Sequence, residues 1–306
     1  MGIKLLNTFL DAQNVRGIQK KSHFTNLRRK TLCIDISIYL YRFKQKAVEE
    51  IDESGNFLKD PQEVLLENIE NMIILFRQYE CELYICFDGK SPKEKETTII
   101  ERQQTRENAK QKTNIYQKML EQRKDSLNAK DIAMLREKMI SEIQKSISIT
   151  RKDIEMVKNI LDENRVKWVQ CEGEADVECN RMVRKNQAWG VMSDDTDFIA
   201  SGCKRIIRNV DFKKQCYDMI IVNFVLRDLK ICEYDFRCLC VLAGCDYFKL
   251  DKQINIFVLY DYYCKYIKYC KQRSTRGENI VFLNWLLRFI DYNIKDVQNI
   301  VENHFS

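Results

Sequence analysis

Apolar residues fall into short dense runs separated by stretches with helical spacing. TLCIDIS (31–37) reads as a buried strand that gives way to a helix reaching about residue 50. In DPQEVLLENIENMIILFRQY (60–79), Asp60 is placed to cap a helix. Pro61 sits at its first position and Glu63 completes a capping box. Val64, Leu65, Ile69, Ile73 and Phe76 keep the helical period. CELYICFD (81–88) is a second strand, and VKWVQ (166–170), WGVMS (189–193) and KRIIRNV (204–210) supply three more. Helical patterns such as EADVECNRMVRKN (174–186) separate several of them. This alternation predicts an α/β fold with a mainly parallel central sheet flanked by helices.

One segment breaks the rhythm. From Lys93 to Glu172 there is neither glycine nor proline, and the spacing predicts several polar helices with breaks near 125–131 and 146–150. Thr150 and Asp153 can cap the last of these, whose Ile154, Val157 and Leu161 face the core. Residues 93–124 hold few apolar positions and no good stripe, so this excursion is expected to have little core of its own. It either stands out into solvent or binds something. Charge sharpens that choice: residues 89–158 carry 17 Lys and Arg against 11 Asp and Glu, which equals the entire net charge of +6. A positive excess confined to one segment suits a dedicated polyanion-binding element.

Composition narrows the chemistry. With 31% charged and 45% hydrophobic residues, the 306-residue chain has the balance of a soluble globular protein. Lys4 and Asp11 interrupt the opening apolar run, and no run approaches a membrane span, so an intracellular, reducing location is expected. The 13 cysteines are odd in number and scattered without a CxxC pair, which suits buried free thiols. The two histidines, His23 and His304, leave little material for a Cys/His zinc site or a histidine-based triad. Any catalysis must run on carboxylates, lysines or metals held by oxygen.

GVMSDDTDFIAS (190–201) crowds Asp194, Asp195 and Asp197 where a strand leaves the core. A solvated acidic turn is the plain reading. Other carboxylates, however, sit at comparable places: Asp35 in the first strand, Asp88 ending the second, Glu172 and Glu174 after 166–170, and Asp246 after the apolar helix 237–243. The spacing of two in 172/174 and 195/197 turns each pair to one side of an extended segment, with Asp194 pointing the other way. Ligands of open α/β sheets gather at strand ends. Seven like charges gathered there would call for hard divalent cations, and Mg²⁺ fits carboxylate and water ligands. Two such ions could clamp the attacking and leaving oxygens of a phosphodiester.

MGIKLLNTFL, CIDISIYLYRF, CFDGKSPKEKETTIIERQQTRE, CEGEADVECN, SDDTDFIASG and LAGCDYF occur in order over residues 1 to about 250. Together they resemble flap endonuclease and its XPG-type structure-specific 5′-nuclease relatives. The resemblance implies a PIN-like nuclease fold and two Mg²⁺ ions, replaceable by Mn²⁺. Asp35, Asp88 and Glu174 would hold the first ion, and Asp195 and Asp197 the second. Glu172 and Asp246 would act directly or through bound water. It places Lys95 and Arg102 at catalytic basic positions at the base of a helical arch, with Arg106 continuing the stripe; a solvated basic face is the alternative. Gly2 would lie near DNA. Tyr41 would stack on the base at the cleavage point, or belong to the core.

The implied organisation is a nuclease region over 1–108, an arch over 109–149, a second nuclease region over 150–248 and a divergent helical duplex-binding region over 249–306. In that last region the match fails. Where the family has a glycine-containing hairpin holding potassium, this chain reads KLDKQINIFVLYDYYCKYIKYC, with no glycine until Gly277. Lys252 and its neighbouring lysines are the expected DNA contacts there. The Tyr/Lys mixture at 260–271 could stack on nucleic acid or form core. QNIVENHF (298–305) faintly resembles a sliding-clamp peptide, although a terminal helix fits it better. The expected activity is Mg²⁺-dependent cleavage of DNA near 5′ flaps, nicks or junctions by a monomer during replication, repair or recombination. A 5′→3′ exonuclease or junction resolvase on the same scaffold, or an idle DNA-binding scaffold, is the alternative.

Overall fold

The structure is a computed structural model that describes residues 2–92, 95–122, 128–248, 250, 254–273 and 281–305. In chain order the elements begin with α1 (Leu6–Ala12), β1 (Ile18–His23), β2 (Thr31–Asp35), α2 (Ile36–Gln45), α3 (Pro61–Gln78) and β3 (Glu82–Phe87). Three long helices follow, α4 (Glu96–Gln122), α5 (Ala129–Ser146) and α6 (Arg151–Glu163), before β4 (Lys167–Gln170) and α7 (Ala175–Arg184). The chain then forms β5 (Gly190–Met192), α8 (Asp197–Ala200), β6 (Ile206–Asp211), β7 (Cys216–Ile220) and α9 (Val222–Leu229). It ends with α10 (Glu233–Ala243), α11 (Ile256–Arg273), α12 (Phe282–Leu286) and α13 (Ile294–His304). Two compact units result: a central unit, Leu27–Glu178, and a terminal unit built from Met1–Asn26 and Cys179–Ser306.

In the central unit β2, β3 and β4 run parallel, with Asp35 level with Cys86 and Phe87 level with Gln170. Leu32, Cys33 and Ile34 are fully buried, as a strand covered on both faces requires. Helix α3 presents Leu65, Ile69, Met72, Ile73 and Phe76 to the core. Its cap differs from expectation: the Asp60 carboxylate accepts from the Gln62 N–H, one residue earlier than the capping-box register through Glu63. The expected box at Thr150 and Asp153 is formed at α6.

The polar excursion is two helices, α4 and α5, and it does have a small core. Val48, Met139, Ile143 and Ile147 are buried together, with Ile51, Tyr116, Leu120 and Ile140 packed against them. Gln117 Nε2 donates to Ser54 O at 3.1 Å, and Arg136 pairs with Glu53 at 3.2 Å. Helix α4 alone buries only Thr98 and Ala109, as its sequence implied.

In the terminal unit β5 and β6 are parallel, while β7 pairs antiparallel with both β6 and β1. The sequence pattern did not reveal β1 and β7. Four of the six β1 residues are exposed, the polar character of an edge strand. Helix α10 buries every residue from Cys238 to Ala243, and α11 and α13 pack against it. Val297, Val301 and Phe305 are buried and His304 stacks on Tyr247 at 3.9 Å, so QNIVENHF is built into a terminal helix.

Candidate active site

The three parallel strands of the central unit end level with one another, and four of the singled-out carboxylates follow from those ends. Asp35 closes β2, is 8% exposed, and caps α2 by accepting from the Ser37 N–H at 3.3 Å. Asp88 leaves β3 with both oxygens held. Ser37 Oγ donates to Oδ2, and the Ala175 N–H at the start of α7 donates to Oδ1 at 2.9 Å. That amide is one of the helix's otherwise unpaired donors, so the carboxylate is fixed and its charge favoured. The turn after Asp88 lies against the loop after β4. Gly89 N donates to Gly173 O at 2.6 Å and Lys90 N to Glu172 O at 2.9 Å. A Cβ on Gly89 would stand 2.0 Å from Cys171 O, so no side chain fits there. This backbone zipper carries Glu172 and Glu174 to the neighbourhood of Asp88.

Lys95 reaches the same group, its Nζ 2.6 Å from Glu174 Oε1, with both side chains more than four-fifths buried. Arg102, seven residues or about two turns further along, is exposed. Arg106 is half-buried, donates from Nη2 to Tyr41 OH at 2.9 Å, and lies 5.5 Å over the Tyr41 ring. Tyr41 is thus a half-buried partner of the basic helix, whereas Tyr39 is the fully buried tyrosine of α2.

The terminal unit assembles a second group. Three buried residues of β5 lead into Ser193–Asp197. Asp194 turns aside, its Oδ1 accepting from the Asn209 N–H at 2.7 Å. Ser193 Oγ accepts from the Asp195 N–H at 3.2 Å, and Asp195 Oδ1 from the Asp197 N–H at 3.1 Å. The N-terminal residues clasp this loop: Ile3 N donates to Thr196 Oγ1 at 2.6 Å, and Lys4 N to Gly244 O at 3.3 Å. Gly2 has φ +80°, which strains any side chain, and a Cβ there would also displace the Thr196 hydroxyl at 2.2 Å and the Asp195 carboxylate at 2.5 Å. Asp246 lies half-buried in the turn after α10. Burial pushes the Cys245 thiol up to about 12, with the Asp197 charge adding to it, so this sulfur stays protonated.

These donors suit a hard divalent cation. The acids of both groups offer carboxylate oxygens, and in the central group the Lys95 ammonium already lies against one of them. Asp197 is only 4% exposed, and burying such a charge is costly without compensation. Sequence reasoning missed Ser37, Gly89 and Thr196, although each lies inside a motif it had singled out. Lys252, expected at DNA, lies outside the described residues.

A family model for the XPG N-terminal domain matches residues 1–109, and one for the XPG I-region matches 165–246. Together they take in well over half of the chain and all seven carboxylates, with Asp246 as the last matched residue. The chain belongs to the flap endonuclease/XPG family. It is 27% identical over 261 residues to flap endonuclease 1 of Cryptosporidium muris, covering 81% of this chain and 52% of that protein. The chain spans about half the length of the curated relatives it matches. Among solved structures, the catalytic core of Rad2 in complex with DNA substrate superimposes with a TM-score of 0.63 at 18% identity, covering 100% of this chain and 88% of that one. The junction-resolving enzyme GEN1 in complex with product DNA, Mg²⁺ and Mn²⁺ ions gives 0.56 at 11% identity, covering 99% and 64%. These likenesses establish the shared fold.

Proposed function

We propose that this family member is a divalent-metal-dependent, structure-specific DNA endonuclease that hydrolyses phosphodiesters near 5′ flaps or junctions. The observation that carries the proposal is the held carboxylate group of the central unit, Asp88 fixed at both oxygens and Glu174 met by Lys95. Asp35, Asp88, Glu172 and Glu174 would hold one ion; Asp195, Asp197 and Asp246 would hold another. Bound Mg²⁺ would supply Lewis acidity and lower the pKa of the attacking water.

The chain's own groups orient and neutralise. Ser37 and the Ala175 amide keep Asp88 from rotating, and Thr196 with Ile3 holds the loop that carries Asp195 and Asp197. Lys95 and Arg102 would meet non-bridging oxygens of the scissile phosphate, where negative charge grows during attack. Arg106, already packed on Tyr41, would present that ring to the base beside the cut. The positive excess of residues 89–158 would draw in the phosphate backbone.

A single gel tests this. Purified protein with Mg²⁺ is expected to cut labelled 5′-flap or junction DNA and to leave blunt duplex largely intact. Equal degradation of every substrate from its 5′ end would instead identify an exonuclease, and no cleavage in Mg²⁺ or Mn²⁺ would refute the proposal.

A further inference from the structure

Helix α11 carries two aromatic stripes. Tyr260, Tyr263 and Tyr266 form the inner one. Tyr263 is 4% exposed with its ring 5.2 Å from Phe282, and Tyr260 OH donates to Leu229 O at 2.9 Å. Val258, Tyr262, Lys265 and Tyr269 recur in steps of four and three, which puts them together on a different, outer face. There Tyr262 lies 5.2 Å from Phe289, tilted by 30°, and Phe289 lies 4.7 Å from Trp285. Phe289 leaves 52% of its surface in solvent. Cations rim the rings: Lys265 Nζ is 5.2 Å from the Tyr262 centroid, and Arg288 Cζ is 5.5 Å from that of Tyr269.

The two segments that carry this face have one sign of charge in excess. Helix α11 contains Lys265, Lys268, Lys271 and Arg273 against the single acid Asp261, and residues 281–290 contain Arg288 and no acid. Lys265 is paired with Asp261 at 2.7 Å in an exposed bridge, an interaction weak enough for a phosphate to displace. A positive surface calls for a polyanion, and the exposed Phe289 ring, with the half-buried Tyr262 and Tyr269 near it, calls for one with accessible π-faces. Duplex DNA hides its base faces in the stack, whereas a single strand offers them. Tyr262 and Tyr269 are about 10.5 Å apart along the helix axis at the usual rise of about 1.5 Å per residue. That span takes about three nucleotides at a stacked spacing of about 3.4 Å.

We propose that the outer face of α11 and the adjoining Trp285–Phe289 segment bind single-stranded DNA, with bases stacking on Tyr262 and Phe289 and phosphates meeting Lys265 and Arg288. The choice of DNA as the polyanion rests on the nuclease reading. The site shares no residue with the carboxylate groups and needs no metal.

The test is binding of a labelled oligo(dT) of about 15 nucleotides to the full chain in EDTA. Phe289→Ala removes an exposed ring, and its affinity for oligo(dT) is expected to fall roughly 5- to 100-fold, the usual range for loss of one stacking platform. Phe289→Tyr should keep the wild-type affinity. Arg288→Ala should lower the salt dependence by about 0.7 in log–log slope, as expected for one lost phosphate contact on a single strand. Affinity of the Phe289→Ala variant for a blunt duplex should be unchanged. Wild-type affinity of that variant for oligo(dT), or an equal loss on duplex, would overturn the proposal, the former leaving a protein-docking surface in its place. Tighter binding of oligo(U) than oligo(dT) would overturn the assignment to DNA. Because the assay contains no metal, oligo(dT) binding through Phe289 without flap cleavage refutes only the nuclease reading. Flap cleavage with normal oligo(dT) binding by Phe289→Ala refutes only this one.

Discussion

Lys95 Nζ lies 2.6 Å from Glu174 Oε1, so the basic helix α4 is tethered at its root to the carboxylate group it adjoins. The contact gives Lys95 two opposed effects. It neutralises a carboxylate that a metal ion would also claim, and on the proposed nuclease reading it would hold an ammonium ready for the phosphate. Lys95→Ala should therefore slow single-turnover cleavage on the order of 10²–10³-fold, the loss seen when a well-aimed donor is removed. The same variant should bind Mn²⁺ more tightly in the absence of DNA, because a competing cation is gone. Calorimetric titration with Mn²⁺ and quenched-flow cleavage read the two effects separately. Weaker Mn²⁺ binding by Lys95→Ala would show that the lysine supports the ligand geometry instead of competing with the ion.

Asp195→Asn and Asp197→Asn should each abolish cleavage while leaving DNA affinity near the wild-type value. An asparagine offers a cation one neutral carbonyl oxygen in place of a charged carboxylate, and breaking a metal site's geometry costs at least about 10-fold to 100-fold in affinity or activity. Asp194→Asn is the internal control. Its Oδ1 accepts from the Asn209 amide, a role that an asparagine carbonyl can fill, so activity should persist. A gel-shift titration beside the cleavage assay separates the outcomes. Full activity of either Asp195→Asn or Asp197→Asn in Mg²⁺ would remove these residues from the site.

The strand ends were legible in the sequence because apolar runs mark buried strands, and carboxylates directly after them stand out. Asp35, Asp88, Glu174 and Asp195 were found this way. What holds those carboxylates was not legible. The Ser37 hydroxyl and Ala175 amide converge on Asp88 from chain positions 51 and 87 residues away, and no local spacing encodes that. The small core under α4 and α5 was overlooked for a related reason. Tyr116 and Leu120 make no stripe in a long polar helix, and they are partly buried by packing against the cluster that contains Val48 and Met139. The aromatics of α11 posed a choice between core and stacking on nucleic acid, and Tyr263 is core because Phe282, distant in sequence, packs on it.

Gly89 yields a prediction that no charge argument would give. A Cβ at this position would lie 2.0 Å from Cys171 O and 2.5 Å from Glu172 O, and both are backbone atoms in a loop zipped to it by two hydrogen bonds. Gly89→Ala must push the 88–90 turn away from the 171–174 loop. The expected costs are about 1–3 kcal/mol of stability, as for other overpacked sites, and cleavage lowered on the order of 10²-fold through misplacement of Asp88 relative to Glu174. Urea denaturation and single-turnover cleavage measure the two. Gly173→Ala is the matched comparison, since nothing lies within 4 Å of a Cβ placed there. Equal behaviour of the two variants would show that the close approach at Gly89 does not constrain the site.

The other root of the helical excursion is pinned by Lys44 and Asp153. Lys44 Nζ lies 2.6 Å from Asp153 Oδ2 and also donates to Ser148 O at 3.1 Å, tying α2 to the turn between α5 and α6. Asp153 is fully buried and also accepts from Gln62 Nε2, the Thr150 amide and the Thr150 hydroxyl. Burial alone would raise its pKa, but the hydrogen bond from Lys44 and those from Thr150 outweigh it, so the carboxyl titrates below its ordinary value. A carboxyl depressed by folding stabilises the native state fully above its unfolded pKa of about 3.9, and that contribution fades as pH falls through the lower folded value. Wild-type stability should therefore drop on acidification below about pH 4 by an amount that Asp153→Asn lacks. At pH 7, Asp153→Asn should cost about 3–5 kcal/mol, because Lys44 is left buried without its counter-charge. Lys44→Met combined with Asp153→Asn should recover part of that loss. Urea denaturation of the three proteins from pH 3 to pH 7 decides the matter, and parallel pH profiles for wild type and Asp153→Asn would show that this pair does not govern the acid limb.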